Sequence, residues 1–327
     1  MTYMKDITVA IIGTSLFSKA IAAEFAQHGA AVGLVVEGCE RPMVEVIVEE
    51  QDRRQSHKFL CTSDWSWIQE ATCVVTSLIG EELLSACRRM VPYMHDGQML
   101  AVFPGYFMVE PITQIFRDAG KPSVLVCELT SSPVVCDAQG DGTIHIHKRK
   151  NKLKIAGIDA DAGQRALNCL KDYLPMLALA KNAVETSLEN INTILHPLPL
   201  LMNLATVERA PQRFRHFIDG IDQNISRLMH LMDEERLAVG AALGLTLDPV
   251  LSHLKSYYGD NDARTIYEYI HTPECPYDDI RGFGLASRYI TLDVPGLIVP
   301  TAKLARSLNI PTPLHDACIA LASPFLS

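Results

Sequence analysis

The alternation of short apolar runs with helical patterns in the first half of this chain most constrains its fold. Residues 7–12 form a nearly continuous β-branched apolar run, which suits a parallel strand buried on both faces. A turn follows at 13–15, a helical pattern occupies 16–28, and a second apolar run occupies 31–36. Strand, turn, helix and strand in this order predict a βαβ unit.

The same alternation continues beyond this unit and indicates the fold class. Apolar runs that predict further strands recur at 73–77, 99–103, 123–128, 144–148 and 152–158. Helical patterns separate the first three runs, and we expect the last two runs to form a terminal hairpin. Strands that alternate with helices at this spacing predict an α/β fold with a doubly wound parallel sheet.

Strand signals stop near residue 163, and helical patterns fill the remainder of the chain. They cover 164–173, 184–204, 223–243 and 247–257, with two further helices in the tail. Because the chain has 327 residues, each half is long enough to bury its own core. We therefore predict an α/β domain at 1–162 and an all-helical domain at 163–327, with Asp233 to Arg236 on a solvated helix face.

Charge and composition exclude several classes of protein. The net charge of −9 argues against nucleic acids and anionic membranes as partners, since these need clustered basic residues. No apolar stretch is long enough to span a membrane, and no leader-like segment is recognisable. The nine cysteines form no C-x-x-C pair, so we expect reduced thiols without disulfides in a cytoplasmic protein.

The turn after the first predicted strand is a candidate nucleotide site. The Rossmann dinucleotide fingerprint G-x-G-x-x-G places glycines in such a turn and aims a helix N-terminus at the pyrophosphate. Here its three positions read Gly13, Ser15 and Ser18, so only the first glycine is kept, and the Ser15 hydroxyl is a candidate phosphate donor. The residues of this turn that we predict to contact the cofactor are Gly13, Thr14, Ser15, Leu16 and Phe17.

The end of the second predicted strand bears on the choice between NAD and NADP. Glu37 ends that strand, where an acid would accept a hydrogen bond from the ribose 2′-hydroxyl of NAD. Arg41 follows a few residues later and would suit the 2′-phosphate of NADP. The two signals conflict, and the position of Glu37 favours NAD.

Two polar positions in the second half are candidates for acid–base chemistry. His196 lies in a largely apolar helical pattern, and Asp293 precedes Val-Pro about a hundred residues later. A histidine and a distant aspartate can meet in the fold and form an acid–base pair. The residues alone leave two alternatives open, a core histidine and an aspartate that caps a helix.

Metal ligands are the next candidates. His145 and His147 alternate along a predicted strand and therefore face one side of it. Because no third ligand is apparent in the sequence, we predict no metal site.

Several motifs in the chain resemble those of one enzyme family. Asn192 to Pro197, with Asn203 behind it, resembles the N-x-x-x-H-P signature of the octopine/nopaline (opine) dehydrogenases. Arg288 to Pro295 resembles their R-Y-x-T-E-D-x-P stretch. Further matches follow in the family's order: Phe103-Pro104-Gly105, Cys127 to Pro133, Asp233 to Arg236 with Leu243 to Leu245, and Pro311 to Leu314. The likeness covers nearly the whole chain, and metallophore-making enzymes of the staphylopine type look more distant.

The resemblance implies a reaction and its site. Such enzymes condense an α-keto acid with the amine of an amino acid and reduce the imine with NADH or NADPH. His196 matches the family's catalytic histidine and Asp293 the aspartate that orients it, and we expect the two beside the nicotinamide in the cleft between the domains. Glu128 matches the acid that holds the basic end of the amino acid, and Asn192 a residue that positions the substrate or the nicotinamide amide. Pro104 and Gly105 match the P-G pair with which a strand of the family ends, and we expect them to contact the cofactor.

The resemblance also concerns the helical half, which looks like the C-terminal domain of 6-phosphogluconate dehydrogenases. Domains of this kind are able to form homodimers, although no stripe of apolar residues in this sequence identifies an interface. Small-molecule substrates are therefore the expected partners, together with a second copy of the chain. The alternative for Glu128 is an exposed acid at a strand end.

Two other functions compete with this interpretation. A non-catalytic nucleotide- or amino-acid-binding sensor would explain the eroded glycines and Leu292, which replaces the family's Glu. A ketopantoate- or hydroxyacid-type reductase has the same architecture but relies on a catalytic lysine. Lys181 and Lys255 are available for that role, and neither lies in a suggestive motif.

Overall fold

A sheet of eleven strands organises the first of the two compact units into which the chain divides, Met1–Thr186 and Ser187–Ser327. The computed structural model describes residues 7–39, 42–51, 53–138, 140–281 and 284–326, and the element counts refer to these. The strands are β1 (Thr8–Ile12), β2 (Ala31–Val35), β3 (Met43–Glu50), β4 (Arg53–Thr62), β5 (Cys73–Thr76), β6 (Met99–Val102), β7 (Leu125–Leu129), β8 (Val134–Ala138), β9 (Ile144–Arg149), β10 (Leu153–Gly157) and β11 (Leu177–Leu179).

The strands lie in the order β11-β10-β7-β6-β5-β1-β2-β4-β3-β9-β8. Six of them, from β7 to β4, are parallel and form the centre of the sheet. Successive crossovers leave β1 in opposite directions, towards β2 on one side and β5 on the other. In open α/β sheets a ligand crevice forms at such a reversal of strand order. The prediction of a doubly wound sheet is therefore confirmed.

The helices of the first unit cover this sheet. They are α1 (Leu16–Gln27), α2 (Gly80–Met90), α3 (Val109–Asp118), α4 (Ala160–Leu170) and α5 (Ala183–Leu188), with a 3-10 helix at Trp65–Glu70. The acids of α2 lie in its first turn and the arginines in its last, which suits the helix dipole. Apolar side chains of α2 and α3, such as Leu83 and Phe116, pack with those of the central strands. This packing holds the strand ends in fixed positions.

The predicted terminal hairpin is wrong. Strand β9 pairs with β8 and β3 at one side of the sheet, whereas β10 pairs with β7 and β11 at the other. The two strands are consecutive in sequence but belong to different parts of the sheet. Strands β3, β4, β8 and β11 have no counterpart in the sequence analysis.

The end of the first unit lies beyond residue 162, where the sequence analysis placed the domain boundary. Helix α4 packs on β10, and β11 adds a parallel edge to the same strand. Gly157 and Gly163 allow this approach, because a Cβ on Gly157 would lie 2.7 Å from the Cβ of Ala162. Residues 163–186 therefore pack with the sheet, and the described contacts divide between Thr186 and Ser187.

The second unit is helical, as predicted. Its helices are α6 (Asn192–Leu195), α7 (Pro197–Met202), α8 (Leu204–Arg209), α9 (Gln223–Ala242), α10 (Val250–Tyr258), α11 (Ile266–Ile270), α12 (Arg288–Thr291), α13 (Val299–Ser307) and α14 (Pro313–Ala322), with a π-helix at Val294–Ile298 and a 3-10 helix at Ser323–Phe325. None of the helices among the described residues combines the length and the apolar composition needed to cross a bilayer.

The helical pattern predicted over 184–204 is divided into short helices, α5 to α8. Pro197 has no N–H to donate and begins α7. Upstream, the Asn190 side chain accepts a hydrogen bond from the Asn192 N–H at 3.2 Å. Downstream, the Asn203 amide donates to the carbonyls of Pro199 and Gly220. These local bonds compete with the helical ones and break the helix at each point.

The prediction that Asp233 to Arg236 form a solvated face is wrong as well. Asp233 and Arg236 are buried, with exposed fractions of 2% and 0%. The Arg236 guanidinium donates to Asp233 and to the carbonyls of Leu188 and Asp248. Because a buried charge is stable only when it is paired and hydrogen-bonded, this arginine joins α9 to two neighbouring segments.

The expectation that no cysteine forms a disulfide is wrong for one pair. Cys39 and Cys61 form a disulfide that joins the loop after β2 to the end of β4. The other seven cysteines are free thiols. Five of these seven are buried, and burial raises the pKa of the Cys87 thiol to about 12, so it is protonated at neutral pH.

Candidate active site

The turn after β1 has the shape of a nucleotide-binding turn. Gly13 takes a φ of +104°, a conformation that L side chains rarely adopt, so a glycine is required there. Helix α1 begins directly afterwards at Leu16. The backbone N–H groups of its first turn, which have no partner within the helix, therefore lie beside this turn. Thr14 and Ser15 are exposed, and Leu16 and Phe17 are partly buried. The turn is therefore open to a phosphate group.

Three serine hydroxyls form a cluster at the turn where the fingerprint would have its second and third glycines. Ser15 caps α1 by accepting a hydrogen bond from the Ser18 N–H at 3.0 Å. The hydroxyls of Ser15, Ser18 and Ser77 lie 2.9 to 3.1 Å from one another. Ser77 follows β5, so this cluster joins the two strands at which the order of the sheet reverses. The sequence analysis did not identify Ser77, because its neighbourhood depends on the pairing of β5 with β1.

Glu37 follows β2, as predicted, and lies in a polar surface cluster. Its carboxylate pairs with the Arg89 guanidinium at 2.6 Å, with both side chains exposed. Arg89 also lies over the Trp65 ring, 4.5 Å from its centroid. This arrangement holds the Glu37 carboxylate near the end of β2. Arg41 lies outside the described residues.

The end of β6 meets Glu128 closely. The Phe103–Pro104 peptide is cis, and Gly105 follows it. A Cβ on Gly105 would lie 2.5 Å from the Glu128 carboxyl carbon, so any side chain at position 105 would force this carboxyl to move. Glu128 is fully buried, which excludes the alternative of an exposed strand-end acid. The Thr186 hydroxyl donates to its Oε1 at 2.7 Å.

His196 and Asp293 lie together in the helical unit. Nδ1 of His196 is 2.7 Å from Oδ2 of Asp293, and both residues are buried. When the carboxylate is ionised, it accepts the Nδ1 proton, which assigns the remaining proton exchange to Nε2. A buried carboxylate in this position fixes the tautomer and the orientation of the imidazole.

The backbone around Asp293 shows that capping is not its role. Asp293 precedes the π-helix, and its side chain makes no capping hydrogen bond to that helix. Pro295 lies in the first turn of that helix and has no N–H to offer. Insertions of π-helix are frequent at functional sites, since they re-aim a neighbouring side chain. Here the carboxylate of Asp293 bonds the imidazole of His196 instead of the helix N-terminus.

Aromatic rings enclose the imidazole. Tyr289 stacks on His196 with ring centroids 3.7 Å apart and planes 13° apart. Phe217 and His216 approach the His196 ring edge-on, at 6.1 and 6.2 Å. These contacts exclude water and hold the ring in one orientation. Burial raises the pKa of the Tyr289 hydroxyl, so it remains neutral near pH 7.

His216 is a second buried histidine beside the pair. Its Nε2 lies 3.1 Å from the carbonyl of Leu195, which makes this nitrogen the donor. Burial, with a smaller contribution from His196, lowers the pKa of His216 to about 3. It is therefore a neutral ring at physiological pH and adds no positive charge next to His196. Sequence analysis overlooked both His216 and the stack with Tyr289, since no spacing rule signals either contact.

Asn192 occupies the same face as His196, one helical turn earlier. Its carbonyl accepts the His196 N–H at 3.2 Å, and the residue is partly buried. Residues four apart on a helix lie above one another, so the Asn192 side chain leaves the backbone on the same face as the imidazole. Arg288 is also close, with its guanidinium 5.2 Å from the Tyr289 ring centroid.

The lysines of the competing reductase interpretation are not placed for catalysis. Lys181 is exposed, and its backbone N–H donates to Glu185. Lys255 lies at the end of α10, where its ammonium pairs with Asp260 at 3.1 Å and donates to the Asn261 carbonyl. Neither ammonium lies in a buried site of the kind that a catalytic lysine occupies.

Comparison with known proteins shows which proteins this chain is similar to. Residues 179–326 match the family described as NAD/NADP octopine/nopaline dehydrogenase, alpha-helical domain. An opine dehydrogenase from Arthrobacter sp. (strain 1C) is 30% identical over 274 residues, which cover 83% of this chain and 76% of that protein.

Solved structures share the fold across nearly the whole chain. An octopine dehydrogenase described with NADH and L-arginine superposes with a TM-score of 0.76 at 19% identity, covering 97% of this chain and 89% of its own. A ketopantoate reductase from Ralstonia eutropha JMP134 superposes with a TM-score of 0.67 at 17% identity, covering 98% of both chains. At these identities the likeness concerns the fold alone.

The family follows from the sequence relative and the matching helical domain, with the fold in agreement. A relative at 30% identity over most of both chains places the two in one family, and the ketopantoate reductase alternative fits less well. The family's members use a nicotinamide cofactor. The chain belongs to the octopine/nopaline (opine) dehydrogenase family and is an NAD(P)-dependent oxidoreductase that acts on CH–NH groups.

Proposed function

We propose that His196 handles the proton in the reductive condensation of an α-keto acid with the amine of an amino acid. The carbonyl and the amine lose water to form an imine, and the nicotinamide supplies the hydride to the imine carbon. Nε2 of His196 is the nitrogen that exchanges the proton, because Nδ1 is engaged by Asp293 at 2.7 Å. This hydrogen bond is the observation that carries the proposal.

Arg288 is the group that we propose to bind the keto-acid carboxylate. It is partly buried, and its guanidinium lies over the ring of Tyr289, which in turn stacks on His196. A guanidinium matches a carboxylate with two parallel hydrogen bonds. Its position relative to the histidine would therefore orient the carbonyl carbon for reduction. Asn192, on the adjacent helical face, is proposed to position the same substrate or the nicotinamide amide.

Glu128 is proposed to bind the cationic end of the amino substrate. It is a fully buried carboxylate held by the Thr186 hydroxyl at the end of the sheet. A buried anion favours a cationic partner, since the low dielectric strengthens their attraction. This role predicts a preference for amines that carry a positive charge.

The first unit is proposed to bind the cofactor, with NAD favoured over NADP. The open turn from Gly13 to Phe17 at the N-terminus of α1 fits a pyrophosphate, and Pro104 and Gly105 lie at a neighbouring strand end. Glu37 follows β2, where its carboxylate would accept from a ribose hydroxyl and repel a 2′-phosphate. A cytoplasmic location and a homodimer both stay predictions.

The direct experiment is a matrix of substrates. Purified protein is mixed with NADH or NADPH, and oxidation of the cofactor is followed at its absorbance while a panel of α-keto acids is crossed with a panel of amino acids. We expect turnover only when both substrates are present, with the best amines being cationic. Reduction of keto acids without any amine would contradict the proposed condensation, and a lack of cofactor binding would favour the sensor alternative.

A further inference from the structure

Two histidines and an aspartate converge on the edge of the sheet farthest from β11. His145 and His147 lie on β9, and Asp137 lies on the edge strand β8. One ligand atom from each of the three residues lies within 4.8 Å of the others. The sequence showed two aligned histidines and no third ligand, because only the pairing of β8 with β9 brings Asp137 beside them.

Strand register explains the convergence. Asp137 is paired directly with His145 across the antiparallel ladder, so the two side chains lie on one face. A bulge between Val135 and Cys136 shifts the register, so that Cys136 faces Ile146 and Val135 faces Lys148. His147 is left as the extra residue of the bulge, and bulges re-aim the side chain that they carry. Its Nε2 consequently lies 3.0 Å from Oδ2 of Asp137.

From this arrangement we infer a binding site for a zinc-class divalent cation, formed by Asp137, His145 and His147. Zinc binds imidazole nitrogen and carboxylate oxygen at about 2.0–2.2 Å, so its ligand atoms lie roughly 3.4 Å apart. Nε2 of His147 and Oδ2 of Asp137 lie 3.0 Å apart, so this pair must open by about 0.4 Å to hold the ion, and rotation of the His145 ring completes the set. Asp137 and His147 are exposed, which gives the ion a path of entry and leaves its fourth position to water.

A further carboxylate lies beside the cluster. Glu49 of β3 is paired with His145 on the other side of β9, which puts a second carboxylate beside this histidine. The nearest arginine of the strand, Arg149, is engaged by Glu24 at 2.8 Å and by Glu50. The His145 ring lies 4.6 Å from the His147 ring, edge to face, so the register brings all three side chains within reach of one ion.

A bound ion would brace the edge of the sheet. Strand β8 is an edge strand, paired only with β9 among the described strands, and it also packs against α1. A metal that links β8 to β9 would therefore stabilise the edge of the sheet. It would also stabilise the strand on which α1, the helix after the nucleotide-binding turn, packs. The site is separate from the residues to which we assign catalysis.

Zinc titration of the full chain tests this site. The protein, freed of any affinity tag and treated with a chelator, is titrated with zinc chloride against a chromophoric competitor. We expect one zinc per chain with a Kd of about 1 μM or tighter. His145→Ala should weaken binding by at least about tenfold, and so should Asp137→Asn, which preserves the shape of the side chain. His57→Ala, a histidine of β4 outside the cluster, serves as the matched control and should bind as the parent does.

Cobalt substitution identifies the ligand atoms, because seven cysteines are free thiols. Cobalt bound by nitrogen and oxygen lacks the thiolate-to-metal absorption that a cysteine ligand would produce. Undetectable zinc binding below about 100 μM would overturn the inference. Equal affinity in the parent and in both cluster variants would also overturn it, and would place the ion elsewhere, for example at Glu189, Asp248 and His253, whose ligand atoms also converge within 4.8 Å.

Discussion

Tyr289 lies flat against the imidazole of His196, with ring centroids 3.7 Å apart. The two residues are 93 positions apart in sequence, and the stack forms because the short helix α12 passes beside the break between α6 and α7. The pair with Asp293 sets which nitrogen carries a proton, and the stack sets the plane of the ring. Proton transfer needs both, since a small misalignment of a catalytic group costs rate.

Removing the stack should lower kcat without affecting cofactor binding. Aromatic pairs contribute about 0.5–1.5 kcal/mol, and each 1.4 kcal/mol corresponds to a tenfold change in rate. We expect Tyr289→Leu to lower kcat by roughly tenfold, whereas Tyr289→Phe, which keeps the ring, stays within about twofold of the parent. Steady-state kinetics with the best substrate pair, together with NADH titration by fluorescence, measure this. Equal kcat values for the two variants would refute the role of the stack.

Glu128→Gln should act on the amine more than on the keto acid. The substitution keeps the size of the side chain and removes the negative charge that we assign to the cationic end of the amino substrate. We expect the KM of the amine to rise at least about tenfold while that of the keto acid changes little. The measurement is a pair of KM determinations in the parent and the variant, and proportional increases in both constants would remove the assignment.

Gly105 and Glu128 should be coupled. A Cβ at Gly105 would lie 2.5 Å from the Glu128 carboxyl carbon, so Gly105→Ala forces the carboxyl to move. We expect it to lower the free energy of unfolding by about 1–3 kcal/mol, as overpacking does. In a Glu128→Ala background the same change should cost at least about 1 kcal/mol less, because the space is then open. Urea unfolding of the four proteins measures the coupling, and additive effects would contradict the close contact.

His216 predicts a loss of stability in acid. The pKa of His216 is lowered to about 3 in the folded chain from its ordinary value of 6.5, mainly because the ring is buried. Between these values the unfolded chain binds a proton that the folded chain does not, so the free energy of unfolding falls as the pH drops below 6.5. From this group alone, the loss at pH 5 relative to neutral pH should be about 2 kcal/mol.

A variant that lacks only His216 isolates this effect. His216→Gln keeps a donor for the Leu195 carbonyl and removes the titrating ring. Its free energy of unfolding should fall less steeply with acid than that of the parent, while His271→Gln, at an exposed site, should follow the parent. Far-UV circular dichroism suits the measurement, because helices dominate the unit that contains His216. Parallel curves for all three proteins would contradict the prediction.

The sequence was informative where chemistry depends on a local motif. The first βαβ unit and the turn at Gly13 are each encoded within a few residues, and the structure contains both. The residues alone offered the pairing of His196 with Asp293 beside two alternatives, and the family resemblance favoured it. It joins residues 97 positions apart, and no periodicity in the sequence relates them.

Contacts that depend on tertiary pairing were missed. Asp233 and Arg236 look like a solvated pair on a helix until the carbonyls that accept from the arginine are known. The alternation of apolar and acidic residues in β3 is a strand signal that the sequence analysis overlooked, whereas β11 has only three residues and its strand form depends on β10. The third member of the histidine cluster, Asp137, likewise became visible only with the register of β8.

Replacement of His196 tests the central claim most directly. His196→Ala and His196→Asn are compared with the parent for oxidation of NADH in the presence of the best keto acid and amine, and for NADH binding by fluorescence. We predict that both variants lose turnover by about 100-fold or more, within the range for a general acid–base group, and bind NADH as the parent does. Turnover within about tenfold of the parent in the alanine variant would contradict proton handling by this histidine.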